Sequence, residues 1–174
     1  MKQRGVTLIE LLAGVILIGV IAVLAAPALG TFIDSQRRLD TAQQLANNLR
    51  LARTEAILRS QPVILQALEG DWSRGWHAFV DSNHNQLRDG DEPILTERNG
   101  SPKVRVVGNS RVATRVGFDS SGRPLNNGNG TLAVCLNEPA ASHYQIAIAV
   151  TGRVTLRRDG FGSEPCALIV TERI

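Results

Sequence analysis

A twelve-residue stretch between Asp81 and Glu92 carries the kind of oxygen ligands that a calcium ion prefers. Oxygen-bearing side chains stand at positions 1, 3, 5, 9 and 12 of this stretch, which is the spacing of a calcium-binding loop. Position 6, where the sharp turn usually requires glycine, is Gln86, and strands rather than helices are expected on both sides. The alternative is an acidic, asparagine-rich hairpin loop closed by side chain–backbone hydrogen bonds. Both interpretations concern the same five residues, Asp81, Asn83, Asn85, Asp89 and Glu92.

Charge is divided between two consecutive segments of the chain. From Glu69 to Glu97 there are 7 acidic and 2 basic residues, whereas from Arg98 to Arg158 there are 9 basic and 2 acidic residues. This division predicts two oppositely charged surfaces, unless the two segments neutralise each other within the fold.

Three arginines at the end of the basic segment could bind phosphate, because a guanidinium group matches the geometry of a phosphate group. In a β-strand, Arg153, Thr155 and Arg157 lie on one face, and Arg158 points to the other. Few aromatic side chains accompany them, so contacts with double-stranded DNA would involve its backbone and would weaken with salt. The alternative is a solvated strand edge protected by arginine.

Catalytic chemistry finds little support in the sequence. His77, His84 and His143 have no serine or cysteine nucleophile beside them in a recognisable turn. There is no glycine-rich phosphate loop before a helix, and the histidines are too scattered for a zinc site. We therefore predict a protein that is not an enzyme and has no cofactor, with calcium as the one candidate ion.

The two cysteines, Cys135 and Cys166, both follow a start that resembles an export signal. An exported chain with two cysteines predicts a disulfide between them. The bond would close a loop of about 31 residues and stabilise the fold by roughly 3–4 kcal/mol.

The apolar run from Val6 to Leu29 has three interpretations. It could be a signal peptide cleaved after Ala28, although 24 residues is long for one. It could be a plain membrane anchor, since a helix of that length measures about 36 Å. In the third interpretation, a short leader is cut between Gly5 and Val6, and the apolar helix stays on the mature chain.

Glu10 distinguishes these interpretations, because neither a signal peptide nor a simple anchor has a use for a carboxylate inside its apolar helix. A filament subunit does have one. The buried carboxylate can pair with the free α-amine of Val6 on a neighbouring subunit and so fix the register between packed helices. The alternative is a glutamate tolerated at the membrane interface.

From Arg4 to Leu12 the sequence reads R-G-V-T-L-I-E-L-L, which resembles the type IV prepilin motif. The resemblance implies that prepilin peptidase removes residues 1–5 by cutting after Gly5 and that Val6 is then methylated. Val6 stands where phenylalanine is usual in the family. Without Lys2 and Arg4, the 19 basic residues fall to 17, against 16 acidic ones.

The elements that position these residues are a long helix followed by strands. The spacing of Ala42, Leu45, Leu49, Ala52 and Ala56 predicts an amphipathic helix over residues 30–60, following a transmembrane helix over residues 6–29. Residues 61–174 form a β-rich head, whose core is expected to consist of valine, leucine, isoleucine and alanine because aromatic residues make up only 4%. The predicted strands are Val63–Leu68, Trp76–Asp81, Ile94–Glu97, Val104–Val107, Val112–Phe118, Leu132–Leu136, Tyr144–Val150, Val154–Arg157 and Ala167–Thr171.

One long helix packed on short antiparallel strands gives an α+β fold, the lollipop architecture of pilins. The helix end LARTEA at residues 51–56, the segment GWHAFVDSN at 75–83 and VTGR at 150–153 resemble the FimT/FimU and GspH family of minor pilins and pseudopilins. The resemblance implies a single-pass protein of the bacterial inner membrane whose head lies in the periplasm and which joins other pilins through its N-terminal helix.

The resemblance also implies a function. The chain is expected to be a minor pilin of a type IV pilus that supports pilus assembly and twitching, with a minor pseudopilin of type II secretion as the alternative. In the FimT branch, a Gly-Arg-x-Arg motif is associated with DNA binding for natural transformation. Here Gly152 and Arg153 match that motif, and Thr155 replaces its second arginine.

Overall fold

The computed structural model describes residues 8–101, 103–135, 142–158 and 166. The chain forms two compact units, Met1–Gln36 and Arg37–Ile174. The first helix, α1, comprises Leu8–Arg59 and contributes to both units. The predicted cleavage site at Gly5 and Val6 lies outside the described residues.

The described part of the N-terminal unit, residues 8–36, is helical. Its large apolar side chains are exposed on every side, with Leu8 78% and Leu24 72% exposed. Within the described residues, no single helix is long and apolar enough to cross a membrane. α1 bends between two helical segments, Leu8–Leu24 and Leu29–Arg59. Taken together, these two segments are long and apolar enough to cross a membrane, by length and composition.

In the second unit, α1 is amphipathic, as predicted. Its six core-facing residues are fully buried because apolar positions recur every three or four residues along one face. The helix ends in a Schellman motif, in which Gln61 N–H donates to Ala56 O and Ser60 N–H donates to Ile57 O, both at 3.3 Å. Ser60 takes the left-handed conformation (φ 54°) that glycine usually supplies there. The buried residues are Ala42, Leu45, Ala46, Leu49, Ala52 and Ala56.

In the described residues, eight strands form two four-stranded antiparallel sheets, so the predicted α+β fold is confirmed. The first sheet has the order β3-β2-β1-β5 and the second has the order β4-β6-β7-β8. The strands are β1 Val63–Ala67, β2 Gly75–Val80, β3 Ile94–Asn99, β4 Arg105–Gly108, β5 Arg115–Phe118, β6 Gly130–Cys135, β7 Ser142–Ile148 and β8 Val154–Arg158. The predicted strand Ala167–Thr171 lies outside the described residues.

The predicted strand Val112–Phe118 is wrong at its start. Val112 belongs to a 3-10 turn, Ser110–Val112, and β5 begins only at Arg115. The apolar character of Val112 reflects burial rather than strand pairing, and its carbonyl accepts a hydrogen bond from Trp72 Nε1 at 3.0 Å.

One apolar core joins α1 to the inner faces of both sheets. The expectation that aliphatic residues alone would build this core is wrong. Although aromatic residues are few, Trp72, Trp76, Phe118 and Tyr144 are at most 1% exposed and belong to the core. Large rings remove more apolar area from water per residue than aliphatic side chains do, so a small number of them is sufficient.

Candidate functional site

The loop between β2 and β3 brings the five predicted calcium ligands together, but it also supplies them with partners of its own. The carboxylate of Asp81 is fully buried and accepts hydrogen bonds from the backbone N–H of Asn85 (3.1 Å) and Gln86 (3.0 Å). Glu92, 5% exposed, accepts from the N–H groups of Ser82 (2.8 Å) and Asp89 (3.1 Å).

The remaining candidate ligands bond to each other. Asp89 Oδ2 accepts from Asn83 Nδ2 at 2.7 Å and from Asn85 Nδ2 at 2.8 Å. Gln86 adopts a left-handed backbone conformation (φ 60°), which is the conformation that glycine provides at this position in a calcium loop. In the described part of the chain, no group of three or more histidine, cysteine, aspartate or glutamate residues is arranged to hold a metal ion. Calcium binding stays a prediction.

The same loop is fixed to the first sheet through Gln86. Arg115 Nη1, on β5, donates to the backbone carbonyl of Gln86 at 2.5 Å. Asn126 Nδ2 donates to the side-chain oxygen of Gln86 at 2.7 Å. These two side-chain contacts hold Gln86 of the acidic loop beside Arg115 and Asn126.

The arginines predicted to bind DNA lie at and along β8, which is an edge strand of the second sheet. Arg153, Arg157 and Arg158 are all exposed. Val154 and Leu156 turn toward the core, so Arg153 and Arg157 share the outer face of the sheet, as the alternation predicted. No described carboxylate lies within ion-pairing distance of Arg153 or Arg157.

The helix contributes two further arginines to this region that sequence reasoning did not assign to it. Arg50 Nη2 donates to Val154 O at 3.4 Å, and Arg53 Nη2 donates to Thr151 O at 3.1 Å. Arg53 is half-buried at the border of the buried helix face, one turn from the buried residues Leu49 and Ala56. An arginine at such a border is a signal for a polar partner in the neighbouring element.

Arg53 also connects two turns that have the same backbone conformation. Gly122 and Gly152 each end a turn, have φ of 77°, and donate an N–H to the carbonyl three residues earlier at 2.8 Å. Each glycine is followed by an arginine, Arg123 and Arg153 respectively, and Arg53 Nε donates to Gly122 O at 2.9 Å. The recurring Gly-Arg pairs of the sequence therefore mark two turns that lie side by side.

The first of these turns contains Asp119, whose pKa is lowered. Partial burial acts in the opposite direction, but hydrogen bonds from the Ser121 hydroxyl and from the N–H groups of Arg123 and Ser121 outweigh it. The ionised carboxylate is the form that accepts these bonds, so they stabilise the turn at neutral pH.

The outer face of the first sheet carries a histidine that is not part of the core. Burial lowers the pKa of His77, the positive charge of Arg88 adds to the lowering, and Glu97 opposes it. His77 pairs with Gln66 on β1 and with Glu97 on β3, and its Nε2 is buried without a hydrogen-bond partner among the described residues.

The two oppositely charged segments do not neutralise each other through ion pairs in the described residues. Ion pairs in this part of the chain include those that join Arg59 to Glu55, Arg74 to Glu69, and Arg98 to Asp40. None of them links the acidic segment 69–97 to the basic segment 98–158. The division of charge between two separate surfaces stays a prediction.

The predicted disulfide between Cys135 and Cys166 is confirmed. Cys166 is fully buried and packs with Cys135 and Ala133, next to Val107 of β4. The disulfide therefore holds Cys166 on the outer face of the second sheet, opposite the face that packs on α1.

Glu10, the predicted register residue, lies near the start of the described helix and is exposed. It is surrounded along the helix by exposed Leu8, Ile9, Leu11 and Leu12. A carboxylate in such an apolar surface is costly to transfer into a lipid or protein environment unless it finds a counter-charge there.

Comparison with known proteins agrees with this architecture. The family model described as Type II transport protein GspH matches residues 41–152, more than half of the chain, and the prokaryotic N-terminal methylation motif matches residues 1–26. The Pilin-like protein PilA1 of Thermus thermophilus is 31% identical over 166 residues, which cover 90% of this chain and 99% of the relative.

Two solved structures share the fold. The type IV minor pilin FimU of Pseudomonas aeruginosa is 22% identical, with a TM-score of 0.58 over 72% of this chain and 92% of FimU. The minor pseudopilin EpsH of the Vibrio cholerae type II secretion system is 16% identical, with a TM-score of 0.53 over 72% of this chain and 99% of EpsH. Together with the family match, these likenesses show that the chain belongs to the GspH family, as a type IV minor pilin or pseudopilin.

Proposed function

We propose that this protein is a minor subunit of a type IV pilus, anchored in the inner membrane by its N-terminal helix before it enters the filament. The observation that carries the proposal is the helical unit with exposed apolar side chains on every side and one carboxylate, Glu10, near its start. Such a surface requires lipid or neighbouring apolar helices around it.

In this proposal, prepilin peptidase cuts between Gly5 and Val6, and Val6 is methylated. The match of the N-terminal methylation motif to residues 1–26 supports this processing. The carboxylate of Glu10 then pairs with the α-amine of a neighbouring pilin and sets the axial register between the two helices.

Two experiments test the anchor and the register. The intact mass of the purified mature protein is expected to correspond to a chain that begins at methylated Val6, and a start beyond Ala28 would contradict the proposal. Glu10→Ala is expected to reduce incorporation into sheared filaments, whereas Glu10→Asp retains the charge and is expected to retain part of the incorporation.

A type II secretion pseudopilus is the second candidate function, and the match to the GspH model and the likeness to EpsH support it. The likeness to PilA1 and FimU and the arginines of β8 favour the pilus. Deletion of the gene, scored separately for twitching, transformation and protein secretion, distinguishes the two. Loss of secretion with normal twitching would assign the protein to the secretion system.

For the pilus function we further propose that the outer face of β8 binds the phosphate backbone of double-stranded DNA. Arg153 and Arg157 are exposed and without ion pairs in the described residues, about 13 Å apart along the strand. Arg50 and Arg53 add positive charge at the start of β8, where they donate to the carbonyls of Val154 and Thr151.

Duplex binding is expected to weaken steeply with salt, and Arg153→Ala combined with Arg157→Ala is expected to weaken it further. The slope of log affinity against log salt should become shallower by about 2, because two phosphate contacts are lost. The matched control, Arg88→Ala with Lys103→Ala, removes the same charge from exposed positions outside β8. Equal binding by the β8 variant and the wild type would end the DNA proposal and leave the filament proposal intact.

A further inference from the structure

A cleft of about 230 Å³ lies beside β5, away from the arginines of β8. Its lining includes Arg115 and Gly117 of β5, with Gln86, Arg111 and Leu125 around them. The strand order of the first sheet ends with β5, so the cleft borders the free edge of the sheet. Neither the arginines of β8 nor α1 lines it.

The backbone of β5 offers unused hydrogen-bonding groups to this cleft. Ala67 N–H donates to Thr114 O at 2.8 Å. This hydrogen bond identifies the residues of the segment whose backbone groups point toward β1. Because inward and outward pairs alternate along an antiparallel ladder, the N–H and C=O of Arg115 and the N–H of Gly117 point away from β1. Beyond them, a bridge between Phe118 and Pro124 closes the edge.

The two arginines of the cleft have hydrogen-bonding capacity to spare. Arg111 Nη1 donates to Asn129 Oδ1 at 3.1 Å, and Arg115 Nη1 donates to Gln86 O at 2.5 Å. No carboxylate of the described chain forms an ion pair with either guanidinium. Each guanidinium has five N–H donors, so several donors on each remain directed to solvent or to a ligand.

We propose that the edge of β5 binds an extended peptide segment of a partner protein, which adds to the sheet as a strand and places a carboxylate side chain between Arg111 and Arg115. Addition of a strand uses the outward backbone groups of β5, and the pocket beside the edge selects the side chain. The partner is therefore a protein with an exposed, acidic, extended segment.

Three features favour a peptide over the other ligands that arginine attracts. The cleft is smaller than the 300–1,000 Å³ typical of small-molecule sites, and a volume of this size suits one or two side chains. Leu125 gives it an apolar wall, which a DNA backbone does not need. The alternating N–H and C=O groups of an unpaired strand edge match those of another peptide, whereas a DNA phosphate backbone supplies acceptors but no donors for the C=O groups.

The test uses the full-length chain in detergent micelles and a fluorescent nine-residue peptide with acetylated and amidated ends. Threonine and valine alternate in the peptide, and glutamate stands at its centre. Fluorescence anisotropy is expected to show saturable binding that weakens about tenfold or more when the central glutamate is replaced by glutamine, because charge-assisted hydrogen bonds are lost. N-methylation of the amides that face β5 is expected to abolish binding.

Arg111→Gln is the decisive variant, because Arg111 is exposed and its only hydrogen bond within the described residues is to Asn129. It is expected to bind the glutamate peptide about tenfold more weakly, whereas the matched control Lys103→Gln is expected to bind it unchanged. Absence of saturable binding, equal affinity for the two peptides, or unchanged affinity in Arg111→Gln would overturn the proposal. Displacement of the peptide by a short DNA duplex would assign the cleft to phosphate and overturn it as well.

Discussion

Arg53 Nε donates a hydrogen bond of 2.9 Å to the carbonyl oxygen of Gly122, a residue 69 positions further along the chain. The same guanidinium donates to Thr151 O, 98 positions away. One turn follows β5 in the first sheet, and the other connects β7 to β8 in the second. A single helical arginine thus joins both sheets to α1.

Replacing Arg53 is expected to destabilise the head. Arg53→Met retains the aliphatic part of the side chain but removes both hydrogen bonds, and charged hydrogen bonds contribute about 1.5–3 kcal/mol each. A decrease in the midpoint of thermal unfolding, followed by circular dichroism, measures the effect. Arg59→Met is the control, because Arg59 forms only an exposed pair with Glu55, which contributes about 0–1 kcal/mol. Equal melting temperatures for the two variants would contradict the role of Arg53.

Gly152→Ala is expected to destabilise the head more than the addition of one methyl group suggests. A Cβ at this position would lie 1.9 Å from Gly122 O, a backbone atom that cannot move away easily, and the φ of 77° is unfavourable for alanine. The left-handed conformation and the overpacking together cost about 2–5 kcal/mol. Gly90→Ala is the matched control, since nothing lies within 4 Å of a Cβ there. Unfolding in urea measures both variants, and an unchanged midpoint for Gly152→Ala would refute the close approach of the two turns.

His77 is expected to make the folded protein less stable as the pH falls. Its pKa is lowered by burial and by Arg88, so the folded protein binds a proton at His77 at lower pH than the unfolded chain does. As the pH falls through about 6.5, the unfolded state gains the proton first, and stability is lost until the folded His77 is protonated too. Above that range His77 contributes no pH dependence.

Melting temperatures at pH 8 and pH 5 test this expectation. The wild type should lose more stability between the two values than His77→Gln, and His84→Gln, in the exposed loop, should behave like the wild type. An equal loss in His77→Gln and the wild type would show that another group causes the pH dependence.

The acidic loop is expected to depend on Asp81 whether or not calcium binds. Asp81→Asn retains the shape of the side chain but weakens two hydrogen bonds from backbone N–H groups at a fully buried position, with an expected cost of about 1–3 kcal/mol. Asp91→Asn, at an exposed position of the same loop, is the control and should change little.

Repeating the unfolding measurements with millimolar calcium and with a chelator tests the ion itself. If calcium occupies the loop, the wild-type midpoint should rise with the logarithm of the calcium concentration once that exceeds the dissociation constant, and Glu92→Gln should abolish the increase. Unchanged midpoints would leave the loop as an asparagine-rich hairpin held by its own hydrogen bonds.

Local patterns in the sequence were sufficient to predict several parts of the molecule. The spacing of Ala42, Leu45 and Leu49 predicted the buried face of α1, because helical periodicity maps sequence directly onto one side of the helix. The outward placement of Arg153 and Arg157 followed in the same way from the alternation of a strand. Two cysteines in an exported chain permit only one internal disulfide, so Cys135 and Cys166 could be paired without a structure.

Contacts between distant segments were decided by tertiary structure alone. Nothing near Arg53 in sequence indicates that Gly122 and Thr151 will be its partners, because the orders β3-β2-β1-β5 and β4-β6-β7-β8 are set by the packing of both sheets on one helix. Val112 looked like part of a strand because burial and strand pairing favour the same residue types. The sequence determined which side chains the protein has and which face of its element each one occupies, and only the folded chain determined which of them meet.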